Sequence, residues 1–198
     1  RYFAKVLWGG LLKSRKSAAL PGAKIYPPTL TNSDLANIKI AKEMGVTGVM
    51  QPFVRDHSDL ECVKEALREA GAEDIRLFAK IENMDGVRKL EELLPAADEI
   101  VIARGDLGNS VHLWDLPGVQ RQISEKCRAA GKPFMVVTQM LASMERSPVP
   151  TRAEVNDIFH AVMDGAASIM VTGETAVGDY PVEVIRYMVN TVRSAEKE

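Results

Sequence analysis

Lys80 and Glu82 stand two residues apart at the end of an apolar run, Ile75 to Ile81, that closes as Lys80-Ile81-Glu82-Asn83. On an extended chain this spacing puts both side chains on one face together with Phe78, while Ala79 and Ile81 take the other. A lysine and a carboxylate in an apolar setting are costly unless they pair or one of them coordinates a metal. Taken alone, the two residues read equally well as a structural ion pair. Asp106 adds a second carboxylate, in Arg104-Gly105-Asp106-Leu107-Gly108, where the glycines let the backbone approach a ligand and expose amide donors. Two carboxylates from neighbouring strands suit Mg²⁺ or Mn²⁺, hard ions that take few protein oxygens and keep positions for substrate. Thr138 closes a further strand and offers a hydroxyl to a substrate carboxylate, although a β-branched residue belongs in a strand without any such role. Thr172 closes the last strand, ahead of Gly173-Glu174-Thr175.

Short β-rich runs alternating with amphipathic runs must position these groups. Strands are predicted over Val46–Phe53, Ile75–Ile81, Glu99–Ala103, Phe134–Thr138 and Ser168–Thr172. They are apolar and uninterrupted, as strands buried on both faces are. A helix follows each. The first strand is preceded by a helix that starts after Thr31-Asn32-Ser33 and ends at Gly45. Ser58 with Glu61, and Thr151 with Glu154, read as capping boxes, Gly71 and Gly131 as stops, and Pro181 as the first residue of the last helix. One helix is expected from about Asp85 to Pro95. The pattern is five parallel βα units, with polar residues gathered at the C-terminal strand ends, the edge that carries active sites in parallel α/β folds. A (β/α)₈ barrel of the TIM type and an open doubly wound sheet both fit this periodicity, and a whole barrel takes about 250 residues against the 198 here.

The composition is ordinary for a globular chain, with 46% hydrophobic and 26% charged residues and a net charge of −2. That balance gives no reason to expect nucleic acid or an anionic membrane as a partner. Lys13-Ser14-Arg15-Lys16 is an isolated basic run and reads as a solvated segment. Cys62 and Cys127 lie far apart in helix-like segments, outside any metal or redox spacing, and read as buried or partly buried thiols. No apolar stretch approaches a membrane span and no signal-peptide layout opens the chain, so a cytoplasmic location is expected. His57 and His112 fall in loop-like segments and His160 in a helix, without clustering. The chain opens at Arg1 directly in a strand-like run, Tyr2 to Trp8, so a longer parent chain is expected.

Several blocks together resemble the pyruvate kinase family. They are Ala79-Lys80-Ile81-Glu82-Asn83 with Gly86-Val87, Val101 through Gly108, Gly131-Lys132-Pro133, Thr138 through Met144, Pro150 through Glu154, and Gly173-Glu174-Thr175-Ala176 with Gly178-Asp179-Tyr180-Pro181. Their order and spacing agree with the family over nearly the whole chain. The resemblance implies a partial TIM barrel whose five strands correspond to the fourth through eighth. Residues 1–19 would be a remnant of the lid (B) domain and return segment, and residues 20–198, re-entered at Leu20-Pro21-Gly22, the C-terminal part of the barrel. It further implies Mg²⁺-dependent phosphoryl transfer from phosphoenolpyruvate to ADP, giving pyruvate and ATP. Glu82 and Asp106 would hold the metal, Lys80 would offset charge on the transferring phosphoryl group, and amides of Gly105 and Asp106 with the Thr138 hydroxyl would grip the substrate carboxylate. Thr172 would lie near the enolate, close to the proton relay. The family's K⁺ ligands would fall outside this chain, and a homo-oligomer is expected as part of a longer polypeptide.

The sequence departs from the family at Pro52, which stands where a serine is usual, at Asn109-Ser110, where an apolar residue and a glutamate are usual, and at Val177, in place of a lysine associated with the nucleotide. Ser14 and Ala18-Ala19 also differ from the lid-return sequence. These departures leave two further readings: a Mg²⁺-dependent 2-oxoacid decarboxylase or aldolase of the wider phosphoenolpyruvate/pyruvate group, and a catalytically silent homologue.

Overall fold

Gly45, at φ 72°, turns the chain out of the first helix and into the first strand, the left-handed conformation that glycine adopts without steric cost. The computed structural model describes residues 3, 5–11, 14 and 27–198. From Asn32 onward helices and strands alternate as α1 (Asn32–Ala41), β1 (Gly48–Gln51), α2 (His57–Glu69), β2 (Arg76–Ile81), α3 (Met84–Arg88), α4 (Leu90–Leu93), β3 (Glu99–Ala103), α5 (Arg104–Leu107), α6 (Leu116–Ala129), β4 (Phe134–Val137), a 3₁₀ turn (Ala142–Glu145), α7 (Arg152–Met163), β5 (Ser168–Met170), α8 (Gly173–Ala176) and α9 (Pro181–Ala195). The lid remnant and return segment expected over residues 1–19, and the re-entry at Leu20-Pro21-Gly22, lie largely outside the described residues. The strand-like opening run forms no strand over those of its residues that are described, and Phe3, Val6, Leu7 and Trp8 stand exposed.

All five strands are parallel and pair in chain order, β1-β2-β3-β4-β5. Lys80 is level with Val101, and Ala103 with Val137. Helices cover one face. Leu77, Ala79, Ile81, Ile100, Ile102 and Val136 join a continuous core with residues such as Leu60, Leu90, Ile123 and Ile158. Each fully buried aliphatic side chain there contributes about 1.5–3 kcal/mol from lost apolar exposure. The opposite face carries a separate cluster made, among the described residues, of strand residues: Val101, Ala103 and Val137 with half-buried Met50, Phe78, Met135 and Met170. A doubly wound sheet has helices on both faces and reverses its strand order. Helices on one face with consecutive pairing make this sheet an arc of a barrel.

Local structure differs from expectation in four places. Asp56, not Ser58, caps α2: its side chain accepts the Ser58 N–H at 3.1 Å and the Ser58 hydroxyl at 2.5 Å, while Glu61 faces Lys64 and His57. His57 is accordingly helical. The segment from Asp85 to Pro95 is two short helices that break at Lys89 (φ −97°, ψ 14°). Asn83 fixes the first of them by accepting from the Gly86 N–H at 2.8 Å and donating to the Val54 carbonyl at 3.1 Å. A Cβ on Gly86 would stand 2.7 Å from that carbonyl, so only glycine fits. Cys62 is exposed rather than buried; Cys127 is buried, which pushes its thiol up to about 12. Strands one, four and five end earlier than predicted, because their last residues leave the ladder, and strands one and two start later, at Gly48 and Arg76. Among the described residues no helix is long and apolar enough to cross a membrane.

Candidate functional site

The alternation of β2 puts Ala79 and Ile81 under the helices, fully buried, and sends Lys80 to the inner face with Glu82 just beyond the strand end. Lys80 Nζ lies 2.8 Å from Glu82 Oε1. Glu82 Oε2 accepts the Phe53 N–H at 2.7 Å, so both oxygens of a carboxylate that is only 2% exposed have partners. Phe53 reaches it with φ 51°, a left-handed conformation uncommon outside glycine, which turns its amide across from β1 toward β2. The sequence-predicted pair is therefore assembled, with a backbone donor that residue types do not reveal.

The ends of β3 and β4 are joined by a second set of bonds. Gly105 N–H donates to Thr138 Oγ1 at 2.7 Å, and Thr138 Oγ1 donates to the Val137 carbonyl at 2.6 Å. Thr138 and Gln139 both have positive φ, 76° and 54°. A β-branched residue there is a steric outlier of the kind that costs about 1–3 kcal/mol and persists only when its surroundings over-determine it. Arg104 supplies that support. Its Nε and Nη2 donate to the Thr138 carbonyl at 3.2 and 2.8 Å, Nη2 also to the Gln139 carbonyl at 3.3 Å, and Nη1 meets Asp157 of α7 at 2.6 Å. Gly108, rather than Gly105, is the sterically required glycine: a Cβ there would lie 2.9 Å from the Arg104 carbonyl, whereas on Gly105 it would make ordinary contact with Thr138.

Asp106 sits in the first turn of α5, exposed, and its carboxylate has no hydrogen-bond or ion-pair partner among the described residues. Thr172, also exposed, lies two residues beyond β5 at the start of α8, and its amide donates to Glu174 Oε2 at 2.8 Å. Residues of all five strand ends thus stand on one edge of the sheet, with Lys80 bonded to Glu82 and Gly105 to Thr138. Among the described residues no group of three or more His, Cys, Asp or Glu is disposed to hold a metal. A donor set limited to carboxylates such as Glu82 and Asp106 fits Mg²⁺ or Mn²⁺, which complete their shells with water and substrate oxygens. Of the departures, Pro52 and Val177 are exposed, and the Asn109 and Ser110 amides close the turn after α5 onto the Asp106 and Leu107 carbonyls.

Sequence reasoning missed two features nearby. Arg55, in the loop after β1, makes a two-pronged ion pair with buried Asp59, Nη2 to Oδ1 at 2.6 Å and Nε to Oδ2 at 3.0 Å. Thr29 donates to the same carboxylate at 2.6 Å, which ties the chain entering α1 to the first turn of α2. Glu154, read only as half of a capping box, also accepts the Ser143 N–H and hydroxyl at 2.7 and 2.5 Å, fastening the 3₁₀ turn to α7. An i,i+4 Arg-Asp spacing was the available signal for the first; nothing in the sequence marked the second.

The family model for the pyruvate kinase barrel domain matches residues 2–185. Pyruvate kinase of Bacillus licheniformis is 42% identical over 193 residues, 98% of this chain and 33% of the relative. That of Geobacillus stearothermophilus is 43% identical over 183 residues, 92% of this chain and 31% of the relative. That of Dictyostelium discoideum is 42% identical over 185 residues, 93% and 36% respectively. The chain spans about a third of the length of these curated relatives.

Proposed function

Because the chain belongs to the pyruvate kinase family, we propose that it supplies the metal- and enolate-binding part of an enzyme that transfers a phosphoryl group from phosphoenolpyruvate to ADP. One observation carries this reading: a lysine and a nearly inaccessible glutamate, 2.8 Å apart, sit at the edge where the Gly105 amide meets Thr138. In the forward reaction the bond from phosphorus to the enol oxygen breaks, and a bond to a terminal phosphate oxygen of ADP forms. The enolate left behind takes a proton at its methylene carbon and becomes pyruvate.

Glu82 and Asp106 would hold Mg²⁺ or Mn²⁺, and the bound ion supplies charge neutralisation for the substrate carboxylate and the moving phosphoryl group. Lys80, already on the inner face, brings its ammonium group to the phosphoryl oxygens, where it counts most as charge builds in the transition state. The Gly105 and Asp106 amides and the Thr138 hydroxyl bind the substrate carboxylate. For that, the Gly105 N–H exchanges Thr138 Oγ1 for the substrate and Thr138 turns its hydroxyl proton away from the Val137 carbonyl, while Arg104 keeps the backbone fixed. Thr172 would lie near the enolate, close to the proton relay. A cytoplasmic, homo-oligomeric enzyme follows from the same family reading.

The test is pyruvate release by the intact protein from phosphoenolpyruvate with Mg²⁺, with and without ADP. Release that depends on ADP and on the metal supports the reading. ADP-independent consumption of a 2-oxoacid, or no turnover with metal and both substrates present, overturns it.

A further inference from the structure

We propose that Glu174 is a positioning residue that fixes Thr172 relative to the Thr138 loop, an inference that rests on the role for Thr172 given above. Glu174 lies in α8, only 2% exposed, and neither the metal nor the carboxylate grip uses it. Its two oxygens accept from two different loops: Oε1 takes the Leu141 N–H at 3.2 Å and Oε2 the Thr172 N–H at 2.8 Å. Both amides lie beyond the sheet ladder, whose last pairing between these strands is Val137 with Met170. One carboxylate therefore continues the joint between β4 and β5 where the backbone no longer does.

The surroundings leave α8 little freedom. A Cβ on Gly178 would fall 2.2 Å from the Glu174 carbonyl oxygen and 3.2 Å from Glu145 Cα. The Asp179 N–H donates to the Glu145 carbonyl at 2.9 Å, and Arg146 pairs with the Asp179 carboxylate at 2.9 Å. The β5 loop is thus clamped on the 3₁₀ turn of the β4 loop, with the Glu174 carboxylate inside the clamp and the Thr172 side chain exposed above it. A glutamate offers acceptors at both oxygens; glutamine of the same shape would turn an NH₂ donor against one of the two amides. Glu174 acts on the reaction through the place it gives Thr172, so its effect falls on proton delivery to the enolate carbon.

The experiment compares Glu174→Gln, Glu174→Ala, Thr172→Ala and the Glu174→Gln/Thr172→Ala double variant in the intact protein. Two quantities are read: Mg²⁺-dependent deuterium exchange at the pyruvate methyl group, and hydrogen exchange of the Leu141 and Thr172 amides. Glu174→Gln, which keeps the packing even if the alanine variant does not fold, is expected to slow methyl exchange by about 10- to 100-fold, the scale of a misplacement near 1 Å. The phosphoenolpyruvate KM should stay within about twofold, because the carboxylate grip is elsewhere. The double variant should be no slower than Thr172→Ala, since residues acting as one unit are non-additive. Multiplying losses, or wild-type exchange in Glu174→Gln, overturn the proposal. A wild-type protein without methyl exchange or turnover overturns the functional reading instead. The amide protection at Leu141 and Thr172 then still decides the positioning claim: unchanged protection in Glu174→Gln rejects it, faster exchange upholds it.

Discussion

Glu82 meets two donors of different origin, the Lys80 ammonium group and the Phe53 amide, and the difference separates what a substitution at each site does. Lys80→Met removes the charge but leaves the Phe53 amide on Glu82. The fold should survive, kcat should fall by about 100- to 1,000-fold, and KM should change far less, because the charge matters most in the transition state. Steady-state kinetics with thermal unfolding check this; a variant retaining most of its turnover removes Lys80 from the chemistry. Glu82→Ala and Asp106→Ala should each weaken Mn²⁺ binding, measured by calorimetry without substrate, and wild-type affinity in both would remove the metal assignment. The spacing of Lys80 and Glu82 was legible because strand alternation alone puts i and i+2 on one face. The Phe53 amide and the left-handed Thr138 were not. A residue type does not announce a positive φ that neighbours impose, here Glu82 for one and Arg104 for the other.

At the level of single elements, Thr151 caps α7 and shares a reciprocal pair of bonds with Glu154, as its sequence signature implies. Thr151→Ala should cost about 1 kcal/mol in denaturant unfolding. Glu154→Ala should cost more, because the Ser143 amide and hydroxyl lose their acceptor as well. The start of α2 was misread because Asp56 and Ser58 are both good caps, and only the tertiary position of the chain leaving β1 decides between them. That helix start also carries a pH response. Burial alone would raise the Asp59 carboxyl, but the hydrogen bonds and charge of Arg55, with the Thr29 hydroxyl, outweigh it and hold the group at about 2, against an ordinary 3.8. A carboxyl lowered on folding stabilises above its unfolded value and loses that contribution as pH falls from about 4 toward 2. The amount is about 2 kcal/mol. Asp59→Asn should flatten the acid limb of the stability curve in that window; an unchanged limb would place the acid sensitivity elsewhere.

At the scale of the whole molecule, among the described residues five strands in chain order leave β1 and β5 as edges and the inner face without helices. Unpaired parallel edges invite association. Residues 1–198 expressed alone are expected to self-associate or to unfold at low denaturant, as measured by light scattering and unfolding; a monodisperse, cooperatively folding, fully active monomer would contradict this. Chain-order pairing was not legible from the periodicity, since alternating strands and helices fit a barrel and an open sheet alike; the family resemblance alone pointed to the barrel. What distinguishes them is which face each helix covers. The inner face also holds sulfur: Met50, Met135 and Met170, half-buried beside Phe78. Thioethers oxidise to sulfoxides in proportion to their access to peroxide, so these three record chemically whether the face is covered. Met44, 71% exposed, and Met163 serve as positive controls, and Met140 and Met144, fully buried, as negative ones. Mass spectrometry after brief peroxide treatment should find Met50, Met135 and Met170 oxidised in residues 1–198 alone. In a longer protein whose remaining strands close the barrel, the same three should stay reduced while Met44 and Met163 still react.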